Sequence, residues 1–113
     1  MSTAIGQEAE AKAAEWLEGR GYQILDKNWR TKWCEIDLIA KKDTQIFFVE
    51  VKYRRQAGSG TGISYITPKK LRQMAFAAEI WLNQYDSQED YELSAIELSG
   101  IPPKVSAFLP ELT

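Results

Sequence analysis

The chain has no histidine among its 113 residues and only one cysteine, Cys34. Without histidine there is no Ser-His-Asp or Cys-His pair, no His-ligated zinc and no nuclease motif that uses imidazole as base. A lone cysteine excludes an internal disulfide and fits a reducing cytoplasm. Oxygen is then the only ligand atom in any number, so a bound metal is expected to be Mg or Mn rather than Zn. No apolar run approaches the roughly 20 residues of a membrane span. The opening MSTAIGQEAEAK lacks the apolar core of an export signal, so a cytoplasmic protein with no membrane partner is expected. Repeats, linkers and low-complexity stretches are also missing, and the length suits one domain over residues 1–113.

The apolar share of 44% and charged share of 27% are ordinary for a globular chain. A net charge of −2 argues against a polyanion as partner, but the charge is unevenly spread. Residues 20–72 hold twelve of the fourteen Lys and Arg and five of the sixteen acids, a balance of +7, whereas the two flanks together carry −9. A basic middle is an electrostatic footprint for nucleic acid; chance segregation of surface charge gives the same pattern.

The most informative stretch is CEIDLIAKKDTQIFFVEVKYRR, residues 34–55. It reads as two strands around a polar turn, Lys41-Lys42-Asp43-Thr44. Alternation puts Ile36, Leu38 and Ala40 on one face and Glu35, Asp37 and Ile39 on the other. In the second strand Phe47, Val49 and Val51 oppose Ile46, Phe48, Glu50 and Lys52. With Asp43 and Thr44 at the tip, Asp37 lies across from Glu50, about 5 Å away at Cβ. Like charges that close destabilise a sheet unless something positive intervenes. Lys52 is one candidate and a divalent cation the other. Two carboxylates can hold a hard cation through oxygen, the cation can activate water, and a lysine can orient that water or offset phosphate charge. Charged and apolar residues also alternate on any half-exposed strand, so the triplet admits an ordinary surface reading too.

In chain order, residues 3–19 read as a helix capped by Ser2 or Thr3, with Ile5, Ala9, Ala13, Trp16 and Leu17 on its apolar stripe. Glu10 sits at the edge of that stripe, as a boundary residue or as a further ligand for a metal or water. A strand follows, opened by Gly21-Tyr22-Gln23-Ile24-Leu25 and running to about Arg30. Asn28, Trp29, Arg30, Lys32 and Trp33 interleave aromatic and basic groups, which suits stacking and phosphate contact with a single strand, or cover of a sheet edge. Arg54 and Arg55 extend the basic set, and Gly58, Gly60 and Gly62 make a loop beside the proposed site. Residues 67–85 form a helix with Thr67 as cap and Pro68 at its first position. Its stripe is Leu71, Met74, Ala75, Ala78, Trp81, Leu82 and Tyr85. Lys69, Lys70 and Arg72 crowd its start, where a bound phosphate would suit the helix dipole. Phe76 and Ile80 lie off the stripe and point to a homodimer surface, or to a seat for the tail through Phe108 and Leu109. Residues 91–98 alternate as a last strand, with Tyr91, Leu93 and Ala95 on one face and Glu97 a candidate for it, and the remainder is expected to be irregular. The order αβββαβ, with a right-handed crossover through the second helix, gives a three-layer α/β domain: a mixed sheet between helices.

Several strings together resemble one family. They are Glu10-x-x-Ala13-x-x-x-Leu17, Gly21-Tyr22-x-Ile24-Leu25-x-x-Asn28-Trp29-Arg30, Glu35-Ile36-Asp37-Leu38-Ile39-Ala40, Phe48-Val49-Glu50-Val51-Lys52-x-Arg54 and Thr67-Pro68-x-Lys70. The chain is similar over residues 6–100 to the YraN family, small bacterial proteins with a PD-(D/E)XK endonuclease-like fold. It departs from that family's usual glycines at Ala9 and Cys34. The resemblance implies a restriction-endonuclease-like core related to Holliday-junction resolvases. It also implies an active-site set of Glu10, Asp37, Glu50 and Lys52. Asp37 and Glu50 would bind Mg or Mn, with Glu10 assisting. The expected function is metal-dependent hydrolysis of phosphodiester bonds in nucleic acid, with branched or damaged DNA as expected substrate. Arg30, Lys32, Arg54, Arg55, Lys69, Lys70 and Arg72 are the expected nucleic-acid contacts. The alternative is a non-catalytic nucleic-acid-binding or interaction module that keeps the fold.

Overall fold

Two threonines start the two helices. In a computed structural model, which describes residues 3–56 and 65–113, Thr3 caps α1 (Ala4–Gly19) by accepting the Gly6 N–H at 3.1 Å. Thr67 caps α2 (Pro68–Gln84) by accepting the Lys70 N–H, also at 3.1 Å. Each cap satisfies one of the orphan donors of a first turn. Pro68 at the start of α2 has no N–H to lose there.

The strands are β1 (Gln23–Arg30), β2 (Glu35–Lys42), β3 (Gln45–Arg54), β4 (Asp90–Ser99) and β5 (Lys104–Leu109). They form one sheet in the order β1-β2-β3-β4-β5. All neighbours are antiparallel except β3 and β4, which run parallel and are joined through α2. Asp43 and Thr44 form the β2–β3 tip: Lys42 pairs with Gln45, and Asp43 takes a positive φ of 57°. Among the described residues, no helix is long and apolar enough to cross a membrane.

One helix covers each face of the sheet. On one side Ala9, Ala13, Ala14 and Leu17 of α1 bury Leu38, Phe47, Val49, Ile96 and Leu98. Three alanines in that stripe let the helix lie close to the strands. On the other side Met74, Ala77, Ala78, Trp81 and Leu82 of α2 bury Trp29, Ile36, Ile39, Ile46, Phe48 and Leu93. Phe48 is fully buried and meets Trp81 and Tyr91 edge-on at 5.7 and 5.5 Å, pairs worth about 0.5–1.5 kcal/mol each beyond their burial.

Five expectations change. The tail is not irregular: residues 104–109 add the edge strand β5, because Val105 and Phe108 supply the α1 face with apolar area. Phe108 packs edge-on against Trp16 and Tyr22, so it lies on the α1 face and does not cover Phe76 and Ile80. Ile80 packs against the α2 core, which leaves Phe76 exposed alone, and Tyr85 leaves the buried stripe to stack on Trp81 at 4.7 Å. Finally, Ile36 faces α2 while Leu38 faces α1, so simple alternation fails across Asp37. Asn28 sits between the β1–β2 pairs Lys27–Leu38 and Trp29–Ile36 and has a positive φ of 49°, a conformation asparagine tolerates better than most residues. The β2–β3 pairing also stops at Leu38–Val49. The sheet thus kinks at Asp37.

Candidate functional site

The kink opens the sheet at one end and fixes the first carboxylate. Where β2 peels away from β3, the Val51 N–H would lose its partner; the Asp37 carboxylate accepts it instead, at 2.8 Å. Asp37 is therefore held by backbone geometry. Glu50, Lys52 and Arg54 follow Phe48 on the α2 side of β3 by alternation. Their parallel partners on β4 are Ala95, Glu97 and Ser99.

Burial raises the Asp37 carboxyl from its usual value to about 7; the negative charge of Glu50 adds to this, the Val51 N–H opposes it, and Glu10 and Glu35 raise it further. Four carboxylates thus share one field around a half-buried strand end. Glu10 takes part from α1. α1 packs on the face of Phe47 and Val49, so Glu10 does not sit on the helix covering the Glu50 face. Its charge nevertheless reaches Asp37, whose carboxyl it helps to raise.

Glu50, Arg54 and Lys52 each have a partner. Glu50 takes a cation from α2: Lys70 Nζ lies 3.0 Å from its Oε2, both side chains largely shielded. The Thr67 cap fixes the first turn that carries Lys70. Arg54 Nε pairs with Glu97 Oε2 at 3.0 Å, and the Ser106 hydroxyl also contacts that carboxylate at 3.3 Å. Lys52 lies with its Nζ 5.4 Å from the Tyr65 ring centre, within cation–π range.

Tyr65 was not singled out in the sequence. Its hydroxyl is buried and has no hydrogen-bond partner among the described residues. Burial, followed by the charges of Glu50 and Glu97, pushes its phenol well above the ordinary range, so it stays a neutral donor inside the site. The only signal was an aromatic residue just ahead of a capped helix. The loop glycines Gly58, Gly60 and Gly62 lie outside the described residues.

The proposed nucleic-acid contacts divide. Arg30 ends β1 and Lys32 lies in the β1–β2 turn. Arg30 makes an exposed ion pair with Glu35 at 3.7 Å, and Lys32 lies 5.6 Å from the Trp33 ring centre. Lys69 and Arg72 are exposed near the start of α2, as is Arg55 past the end of β3. Lys70 and Arg54 are turned inward to Glu50 and Glu97. A cleft of about 240 Å³ separates the turn from α2, with Lys70 on its wall.

The donor set suits a hard cation: carboxylate oxygens crowd at Asp37 and Glu50, and one carboxyl resists ionisation without a counter-charge. Among the described residues, no three Asp, Glu or Cys side chains form a ready metal cage. An ion here would take Asp37 and Glu50 and fill its remaining positions with water and phosphate oxygens, the usual habit of Mg.

A sheet between two helices, with a parallel central pair reached through α2, is consistent with an endonuclease-like three-layer α/β fold. The sequence profile of the Uncharacterised protein family UPF0102 matches residues 9–98. The chain belongs to that family, the YraN group its motifs resemble. A UPF0102 protein of Vibrio parahaemolyticus is 38% identical over 96 residues, covering 83% of this chain and 79% of its own. One from Pseudomonas putida is 40% identical over 82 residues, covering 73% and 67%. A more distant one from Parasynechococcus marenigrum is 34% identical over 103 residues, covering 90% and 75%.

Thr67→Ala tests how firmly the site is held. It should lower stability by about 1 kcal/mol and loosen the Lys70–Glu50 pair. A urea melt reads the first effect. The second appears as reduced salt sensitivity of the variant's stability.

Proposed function

We propose that this protein is a metal-dependent nuclease of the cytoplasm that hydrolyses phosphodiester bonds in nucleic acid, with DNA as the expected substrate. The observation that carries the reading is the Asp37–Glu50 pair. A kinked strand holds two carboxylates together at a cost in stability, beside lysines and an unpartnered tyrosine hydroxyl. A packing site has no use for that arrangement, whereas a site for a cation and a phosphate does.

Asp37 and Glu50 would hold Mg or Mn, which when bound polarises the phosphate and lowers the pKa of a water ligand. Lys52, on the same strand face as Glu50, would orient the attacking water and offset charge on phosphorus. Tyr65 would donate its hydroxyl to a phosphate oxygen. Lys70 would leave Glu50 as the ion arrives and take a phosphate oxygen instead, so its charge serves both states. Glu10 would bind an outer water from the α1 side. Arg30, Lys32, Arg55, Lys69 and Arg72 would hold flanking phosphates.

One observation favours a second reading. With Lys70 on Glu50, the chain already neutralises one of its two central carboxylates, as a binding module without a metal would. The two are separated by incubating labelled duplex, single-stranded, flap and four-way DNA with the protein in Mg, Mn or EDTA. The nuclease reading expects cleavage of at least one substrate in Mg or Mn, none in EDTA and none by Asp37→Asn. Binding without cleavage under every condition favours the module.

A further inference from the structure

The β1–β2 turn carries a feature that the carboxylate chemistry does not use. Trp33 is 73% exposed, the most exposed large apolar residue among those described. An indole so placed loses about 25 cal/mol for each Å² of apolar surface left in water. Its backbone is nevertheless firmly held. The Thr31 hydroxyl accepts the N–H groups of Trp33 at 3.1 Å and Cys34 at 3.2 Å, and the Thr31 N–H donates to the Cys34 carbonyl at 2.8 Å. Across the cleft, α2 presents Phe76, 53% exposed, with Gln73 and Lys70 on the same wall. A second, shallower hollow on the Arg30 side is also lined by Trp33.

We propose that the cleft between Trp33 and α2 binds one unpaired nucleobase, so that the substrate is single-stranded next to the bond to be cut. The inference deepens the nuclease reading and rests on it for the word substrate. Three observations support it. The cleft's volume of about 240 Å³ falls below the roughly 300–1,000 Å³ of drug-sized pockets, which suits a single planar ring, and bases within a duplex are already stacked and unavailable. The cleft itself is lined by one cation, Lys70, and one acid, Glu35; Arg30 lines the neighbouring hollow beside Trp33, and Lys32 Nζ lies 5.6 Å from the Trp33 ring centre, so a base on Trp33 has cations on both sides for its phosphates. Lys70 also reaches Glu50 at 3.0 Å, so a strand whose base is stacked on Trp33 runs its backbone toward the carboxylates.

A second copy of this chain fits less well. A two-fold contact through Trp33 and Phe76 would press Arg30 and Lys32, which flank Trp33, toward the cations Lys69 and Arg72 at the start of α2 in the other copy. Stacking on an aromatic face tolerates every base, and Gln73 and Glu35 offer polar atoms to a base edge.

The test is equilibrium binding in EDTA, which separates recognition from cleavage. A labelled 12-nucleotide thymidine strand and a blunt 12-base-pair duplex are titrated with wild type, Trp33→Ala and Phe76→Ala at one salt concentration. The wild type should prefer the single strand, and its indole fluorescence should be quenched on binding. Trp33→Ala should weaken single-strand binding by about 5- to 100-fold and duplex binding far less, with an unchanged far-ultraviolet dichroism spectrum. Equal losses on both ligands, or none, overturn the proposal. So does a dimer in sedimentation that Trp33→Ala dissolves while oligonucleotide affinity stays unchanged. Failure of the nuclease reading looks different: no cleavage in Mg or Mn, with Trp33-dependent single-strand binding intact, leaves the base site standing in a binding module.

Discussion

Replacing Asp37 by asparagine should raise the melting temperature of the metal-free protein by roughly 10 °C at pH 8 and leave it unchanged near pH 4. The Asp37 carboxyl titrates at about 7 in the folded chain against 3.8 for an unperturbed one. Between those values the folded state holds a proton that the unfolded state has released, so wild-type stability falls as pH rises from about 4 to about 7. Above 7 the folded chain must carry the charge as well, and the full penalty of about 2–4 kcal/mol is present. Asparagine has no such charge, and its amide oxygen still accepts the Val51 N–H. The gain should therefore be absent at pH 4, grow through pH 5–7 and level off above. Thermal scans of both proteins across that range give the difference curve, in which the titrating groups that do not interact with Asp37 cancel. A variant that melts with wild type at pH 8 would mean that Asp37 carries no unfavourable charge.

The second large effect is on cleavage. Glu50→Gln and Lys52→Ala should each reduce it on the order of 10²–10³-fold or more, and their stabilities should differ from that of Asp37→Asn. Glu50 is already paired with Lys70. Its neutralisation removes a shielded ion pair as well as a repulsion on Asp37, so the apo melting temperature should move little. Lys52→Ala removes a cation near the carboxylates without relieving any repulsion, so apo stability should hold or fall. Mn should stabilise wild type by binding only the native state. It should do so much less for Asp37→Asn and Glu50→Gln. An equal Mn response in wild type and both carboxylate variants would sink the metal assignment.

Most of the fold was legible because its signals are local. Thr67-Pro68 and the stripe through Met74, Ala78 and Trp81 define α2 without reference to anything else. The β2–β3 tip was legible from two polar residues between apolar runs. The errors lie where tertiary contacts decide. β5 pairs with β4 at a sheet edge, and its half-buried residues carry too little pattern to stand out. Ile36 changes face because Asn28, on the neighbouring strand, bends the ladder beside Asp37. The Asp37–Glu50–Lys52 part of the site could be read from one hairpin. Tyr65, the Lys70–Glu50 pair and the Arg54–Glu97 pair could not, because each joins segments whose proximity depends on how α2 returns the chain to β4. Glu10 was identified as a candidate, but its place on the helix opposite the Glu50 face was not legible, since sequence does not say which helix covers which face.

The same topology bears on the order in which the molecule assembles. β2 and β3 meet through a two-residue tip, a contact between near neighbours in the chain. β3 and β4 pair only after α2 has closed a loop that brings Gln45 beside Asp90, and such non-local contacts form slowly. Asp37 and Glu50 are therefore brought together in the first hairpin, while Lys70 and Glu97 join with the crossover. The folding chain meets the repulsion before it has the lysine that offsets it. The carboxylate repulsion is therefore met early and the larger burial penalty later, so asparagine at position 37 should both speed refolding and slow unfolding, and stopped-flow rates at pH 8 measure that division.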